Sequence, residues 1–339
     1  MAAPLRVGLI GAGWVTQHHL KGWAALGDAA KVVAIADPSA ERAAERARAF
    51  GIPAIFTSAE AMLDAGGLDA VDIAAPRAVH AELARLAARH GLPILCQKPL
   101  APTFPEAEQL VADIGGRVRL MVHENWRFRA YYRQAAEWLR AGRIGMVRAA
   151  HLSLVTSGTV PDAEGRFQAL ERQPFMREER RMLVAEVLIH HLDTLRMLLG
   201  PLKVEAAALS RTCTAMRGED GAVIQLSTAN GAGVSIFASF AAYGVPPQQA
   251  DRLTILGDAG TLRLDGNSLS LAGPAPERLD YDPEATYLGS YAATIAHFVA
   301  CLESGAPFET SPEDNLETLR LVEDCYSLSG FETANRSAA

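Results

Sequence analysis

The sequence predicts an α/β protein: an N-terminal doubly wound parallel sheet followed by an α+β region whose strands pair mainly antiparallel. Three observations carry this. Short apolar runs alternate with amphipathic helical stretches over the first third. The first run opens into Gly11-Ala12-Gly13. After about residue 200, strand-like runs follow one another with no helical stretch between them.

The apolar runs are Leu5–Ile10, Lys31–Asp37, Ala70–Pro76, Pro93–Gln97 and Arg119–His123. Between them lie PSAERAAERARAFG, VHAELARLAARHG and FPEAEQLVADIGG, each ending at a glycine, as helix C-caps often do. Strand–helix alternation of this kind means parallel strands with right-handed crossovers. From about Glu124 the character changes. RQAAEWLRAGRIG reads as a helix, MVRAAHLSLVTSG as a strand, and the Arg-rich stretch from Thr159 to Arg181 as a long loop. LVAEVLIHHLDTLRMLLG reads as a helix stopped by Gly200. Strands are expected near Val204–Arg211, Ala222–Ser227, Val234–Phe240, Leu253–Leu256 and Thr261–Leu264, then helices at Tyr291–Glu303 and Pro312–Ser329. The tail ETANRSAA reads as frayed. The division expected is a dinucleotide-binding domain over 1–123 and a substrate-binding and oligomerisation domain over 124–339.

Composition narrows the function. The chain has 339 residues, 49% of them hydrophobic, enough for a large core and more than one domain. A net charge of −7 argues against a nucleic-acid partner. Four scattered cysteines without a CxxC pair argue for a reducing compartment and against structural zinc. The N-terminus lacks a basic region followed by an apolar run, and no stretch reads as the ~20 apolar residues of a membrane span. A cytoplasmic protein is expected.

Gly11 and Gly13 follow a first strand and precede a helix, where glycine lets the backbone approach a pyrophosphate at the helix N-terminus. The third fingerprint position is Thr16 instead of the usual small residue. Asp37 ends the second strand, the place of a ribose-binding carboxylate, and its charge favours NAD over NADP. Arg42 nearby weakens that preference. The same loop and acid also suit a methyltransferase. Ligands in such sheets bind beyond the carboxyl ends of the strands. Pro76 and His80 follow the fourth strand, Gln97 and Lys98 the fifth, and His123, Asn125 and Arg127 the sixth. Each has a plain alternative: His80 as a solvated first-turn residue, Lys98 as an exposed charge, Trp126 and Phe128 as core.

These residues resemble the Gfo/Idh/MocA oxidoreductases, named for glucose–fructose oxidoreductase and inositol dehydrogenase, over essentially the whole chain. Members usually carry Glu-Lys-Pro after the fifth strand; here it is Gln97-Lys98-Pro99. They often carry Asn-Arg-Arg-Phe after the sixth; here it is Asn125-Trp126-Arg127-Phe128. Their Asp-x-Gly-x-His-x-x-Asp helix is matched in spacing by Glu186, Leu188, His190 and Asp193. The resemblance implies a large C-terminal sheet, often an oligomer contact, and hence a homodimer or homotetramer. It implies His190 as general acid/base beside Lys98, with Glu186 orienting the imidazole. Cofactor contacts are expected from Gly11, Gly13, Trp14, Val15, Asp37, Arg42, Ala75, Pro76, His80, Gln97, Lys98 and Asn125. Substrate contacts are expected from Lys98, His123, Arg127, Glu186, His190 and Asp193. No metal is required. Oxidising a hydroxyl needs a base for its proton and gains from a cation beside the developing alkoxide, which Lys98 supplies. The activity so implied is an NAD-dependent dehydrogenase of a sugar, sugar acid or polyol, with pentoses such as apiose, hexoses and inositols all open. An NAD-dependent glycosidase and a non-catalytic dinucleotide sensor are the alternatives.

Overall fold

The structure is a computed structural model that describes residues 3–331; the tail read as frayed lies outside the described residues. In chain order the first part is β1 (Leu5–Ile10), α1 (Thr16–Ala24), β2 (Ala30–Ala36), α2 (Ala40–Phe50), β3 (Ala54–Phe56), α3 (Ala59–Asp64), β4 (Ala70–Ile73), α4 (His80–Arg89), β5 (Ile94–Gln97), α5 (Phe104–Ile114) and β6 (Leu120–His123). The six strands form a parallel sheet in the order β3-β2-β1-β4-β5-β6. The order reverses between β1 and β4, which opens a ligand crevice at their carboxyl ends. β4, β5 and β6 are buried at every position, as strands covered on both faces must be. The short edge strand β3 escapes a reading of apolar runs, because three residues carry no period. The glycine stops hold for α2 and α5, which end at Gly51 (φ 69°) and Gly115 (φ 53°) in left-handed backbone. The N-terminus of α5 is a capping box between Thr103 and Glu106.

The chain continues through α6 (Ala130–Arg140), β7 (Val147–Val155), α7 (Gln168–Arg172), a π-helical turn at Leu183–Leu188 running into α8 (Ile189–Leu199), and then β8 (Leu202–Ser210), β9 (Gly221–Thr228), β10 (Gly233–Ser239), β11 (Arg252–Gly257), β12 (Thr261–Asp265), β13 (Ser268–Ala272) and β14 (Glu277–Asp280). These strands form one sheet, β14-β13-β12-β11-β7-β10-β9-β8, antiparallel except where β10 runs parallel to β7. Burial alternates along β9, β10, β11 and β12, so one face is core and the other is open. Val223, Phe237 and Leu256 stand exposed on that outer face. The expected loop from Thr159 to Arg181 contains α7, and Pro161 bridges to Phe167.

Two helices close the chain, α9 (Pro283–Ser304) and α10 (Pro312–Ser329). The compact units are Met1–Arg129 with Glu284–Leu319, and Ala130–Pro283 with Arg320–Ala339. The expected division at 123/124 therefore omits the return of the chain to its first unit. The reason lies in packing. Ile295, Phe298 and Val299 of α9 join Val7, Leu95 and Met121 of the parallel sheet in one apolar cluster. The 22-residue α9 reaches a mean hydropathy of 1.2 over its most apolar stretch, enough by length and composition to cross a membrane. The apolar runs alone predict no such stretch; Ile295 and Phe298, both fully buried, make α9 a core helix of the first unit.

Candidate active site

In the first unit the site is built around the reversal of strand order. Gly11 has φ 108°, and a Cβ there would lie 2.5 Å from the Ala74 carbonyl oxygen, just past β4. No other residue type allows the loop to pass β4 so closely. A Cβ on Gly13 would meet nothing within 4 Å, so open space lies over the second glycine. The loop is held from behind. Asp37, nine-tenths buried, accepts the Ala12 N–H at 2.8 Å through Oδ2 and the Ser39 N–H at 2.8 Å through Oδ1. Arg42 reaches Asp37 at 3.1 Å from a mostly exposed position. Thr16 donates its hydroxyl to the Gly11 carbonyl at 3.2 Å, a use for the unusual third position. The glycine cradle, the open space above it and the carboxylate at the end of β2 fit a dinucleotide. Gly11, Gly13, Trp14 and Val15 would hold the pyrophosphate and Asp37 the ribose. Trp14 is exposed, Val15 half-buried.

The ends of β4 and β5 are tied together. Ala75 is half-buried and Pro76 exposed. His80 is buried, with Nδ1 at 2.7 Å from the Pro99 carbonyl and Nε2 at 2.8 Å from the Ala75 carbonyl. Its ring braces the two strand ends against each other. Lys98, half-buried, follows β5 in a peptide that is cis to Pro99. Gln97 turns into the body of the unit. Its Oε1 accepts the Lys98 backbone N–H at 2.7 Å, and its Nε2 lies 3.3 Å from His19 Nε2.

Beyond β6 the side chains face inward. His123 is fully buried and lies over His19, ring centroids 4.2 Å apart. Asn125 donates to the Ser290 hydroxyl at 2.8 Å. Arg127 is buried in an ion pair with Asp314 at 2.7 Å and also donates to the Glu309 carbonyl. These contacts hold the start of α10 and give Arg127 a structural task that its position after a strand end does not announce.

In the second unit Glu186 lies in the π-helical turn, and His190 and Asp193 lie in α8. Single π-turns inside α-helices recur at functional sites. His190 and Asp193 are buried and Glu186 is half-buried. Leu188 is fully buried, so its bulk is taken up in packing. The start of this rod is held by Glu219, which accepts the Met182 and Val184 N–H groups and the Tyr326 hydroxyl at 2.5 Å. Burial pushes the Glu219 carboxyl up, against those hydrogen bonds. His191 points away from His190's position and pairs with Asp251 at 2.9 Å, where Tyr132 also donates. Sequence reasoning missed Asp72, Asp251 and Glu219. For Asp72 the available signal was a charge inside the otherwise apolar run AVDIAAP; Glu219 and Asp251 lie in polar stretches that give no such signal. Among the described residues, no three His, Cys, Asp or Glu side chains are gathered to hold a metal ion.

A glycine cradle at the switch point, an acid ending β2 and a lysine ending β5 define a dinucleotide-dependent oxidoreductase. Comparison with known proteins makes this particular. Residues 5–121 match the oxidoreductase family GFO_IDH_MocA with its NAD-binding Rossmann fold, and residues 132–263 match the GFO/IDH/MocA C-terminal domain. The chain belongs to the Gfo/Idh/MocA family. It is 35% identical over 333 residues to D-apiose dehydrogenase of Paraburkholderia graminis, spanning 94% of this chain and 86% of that one. It is 32% identical over 335 residues to D-apiose dehydrogenase of Rhizobium rhizogenes, spanning 95% and 94%. An oxidoreductase from Agrobacterium radiobacter, solved with NAD+, L-tartaric acid and magnesium, superposes with a TM-score of 0.89 at 30% identity, covering 97% of each chain. The protein is thus an NAD-dependent oxidoreductase acting on CH–OH groups, a dehydrogenase of the sugar and polyol class.

Proposed function

We propose that this dehydrogenase oxidises a hydroxyl of a pentose, with apiose the first candidate, using NAD in preference to NADP. The observation that carries the cofactor choice is Asp37, a buried carboxylate anchored by two backbone N–H groups. It retains lone pairs for ribose hydroxyls and repels a 2′-phosphate. Support for the substrate is the similarity to two D-apiose dehydrogenases along nearly the whole chain.

In this reading bound NAD supplies the acceptor for the hydrogen leaving the alcohol carbon. Lys98 offers a cation to the oxygen as it becomes an alkoxide, which weighs most in the transition state. His190 takes the hydroxyl proton, and Glu186 orients its ring. Asp193 and His123 are assigned to substrate and Asn125 to the cofactor. Arg127 is withdrawn from substrate binding, since Asp314 and the Glu309 carbonyl engage it. The reading also includes a cytoplasmic homo-oligomer formed through the open face of the C-terminal sheet. The test is a panel of apiose, other pentoses, hexoses, inositols and sugar acids with NAD, followed by NADH absorbance. The expected result is the highest kcat/KM on apiose. Preference for a hexose or an inositol by tenfold or more overturns the pentose assignment.

A further inference from the structure

We propose that Gln97 and His19 are a matched pair that positions the Lys98 peptide, with His19 held neutral and its proton on Nδ1. This rests on the reading that Lys98 takes part in the reaction.

The protons follow from the hydrogen-bond geometry. The Lys98 backbone N–H can only donate, so the Gln97 atom 2.7 Å from it is the carbonyl oxygen. That fixes the amide orientation, and the group facing His19 Nε2 at 3.3 Å is therefore NH2. An amide NH2 can only donate. His19 Nε2 must present its lone pair, and the ring proton sits on Nδ1, 2.9 Å from Asp72 Oδ2. The same oxygen of Asp72 accepts the Trp23 indole N–H at 2.7 Å. The result is a buried chain from Trp23 through Asp72, His19 and Gln97 to the Lys98 backbone. Trp23, His19 and Asp72 are at most 1% exposed and Gln97 8%. Each link has one donor and one acceptor, so a change at one member alters the next.

A glutamate side chain at position 97 breaks this match. Its carboxylate also accepts from the Lys98 N–H, but its second oxygen then faces the His19 lone pair. The repulsion is relieved when His19 binds a second proton and donates both to Asp72 and to the introduced carboxylate. The cluster keeps a net charge of −1 either way: one carboxylate with neutral imidazole, or two carboxylates with imidazolium. The glutamate form therefore carries a proton that the native form does not need. Other titratable groups around His19 are His18 on its own helix, Cys96 beside Asp72 on β5, His123 from β6 and Tyr291 from α9. Burial and then Asp72 push the Cys96 thiol far up, and burial foremost pushes His18 down to about 4, so neither competes for the proton near neutral pH.

The experiment combines ring 15N NMR of histidine-labelled holoenzyme with steady-state kinetics. The nine histidines are sorted by comparison with His19→Asn. Wild-type His19 should show a protonated Nδ1 and an unprotonated Nε2 at neutral pH. Gln97→Glu should show both nitrogens protonated at neutral pH and lose one proton as pH rises. Its kcat should fall along a new alkaline limb absent from wild type. Gln97→Met, which keeps the length but neither hydrogen bond, should lower kcat about 5–20-fold. A wild-type ring with both nitrogens protonated, or with the proton on Nε2, overturns the pairing. Unchanged kcat in Gln97→Met, where Lys98→Met loses activity, overturns the positioning role. Full activity in Lys98→Met would instead sink the catalytic reading of Lys98 and the functional half of the proposal, while the ring spectrum still decides the pairing.

Discussion

Replacing Asp37 by alanine tests the cofactor assignment most directly, and the structure sets its size. Two losses are expected. The first is in binding: a charge-assisted hydrogen bond from a ribose hydroxyl to a carboxylate contributes about 1.5–3 kcal/mol. KM for NAD should therefore rise about 10–150-fold. The second is in stability: Ala12 is only 2% exposed, and its N–H loses its acceptor. A buried donor left unpaired costs about 1–3 kcal/mol, or several degrees of Tm for a chain this long. Against NADP the native carboxylate acts through charge. Two unit charges 4 Å apart repel by about 4 kcal/mol at an effective dielectric near 20. Arg42 offsets part of this, but its side chain is 59% exposed, and such ion pairs contribute about 0–1 kcal/mol. Wild type should accordingly favour NAD over NADP in kcat/KM by at least ~100-fold. Asp37→Asn separates the two roles, because its amide oxygen can still accept the Ala12 N–H. It should narrow the cofactor gap by ~10-fold or more while holding Tm closer to wild type than Asp37→Ala does. The assay is steady-state kinetics with both cofactors, together with thermal unfolding of the apoprotein. Equal efficiency with NADP in the wild type refutes the reasoning, as does an Asp37→Ala variant whose KM for NAD stays within twofold.

His190→Ala should lower kcat by ~10²–10⁴-fold and flatten the acidic limb of the pH–rate profile; turnover within a few-fold of wild type leaves His190 a packing residue. If Lys98 and His190 act as one relay, Lys98→Met combined with His190→Ala should lose little more than the worse single variant, as double-mutant kinetics would read. His18 sits among the rings of Trp14, Tyr287 and Tyr291 with no hydrogen-bond partner for either nitrogen among the described residues, and burial foremost, then Lys21, His19 and Arg46, hold it at about 4. The unfolded chain, with an ordinary histidine near 6.5, binds that proton first, so stability should fall as pH drops from about 6.5 to 4, by up to about 3 kcal/mol. His18→Phe should abolish that part of the decline in urea unfolding measured at pH 7 and pH 5; an unchanged difference between the two pH values counts against it. Phe237 lies opposite Val223 on the open sheet face. A wild-type homodimer or homotetramer is expected by light scattering at micromolar concentration, and Phe237→Asp should dissociate it; a monomeric wild type sinks the assembly reading.

Local patterns determined much of this protein. β1 was legible because LRVGLI is a short apolar run stopped by glycine, and α2 because Ser39 and Gly51 bracket an amphipathic stretch. Asp37 and Lys98 stood out because each places a charge at a strand end, where a doubly wound sheet binds its ligands. The histidine pair in LIHHLD was separable by helical geometry alone, and His191 does turn to Asp251. What tertiary structure decided involves partners distant in sequence. The helix α9 belongs to the first unit because its apolar face completes the core over β1, β5 and β6, a fact no local period encodes. The strands β13 and β14 are short and partly polar, and neighbouring strands define them. Arg127 is claimed by Asp314, 187 residues on. The task of Gln97 appears only when Asp72, 53 residues from His19, fixes that ring's proton. Charge and periodicity are written along the chain, but whether a polar side chain reaches a ligand or braces the core depends on which donor or acceptor the fold brings within about 3 Å.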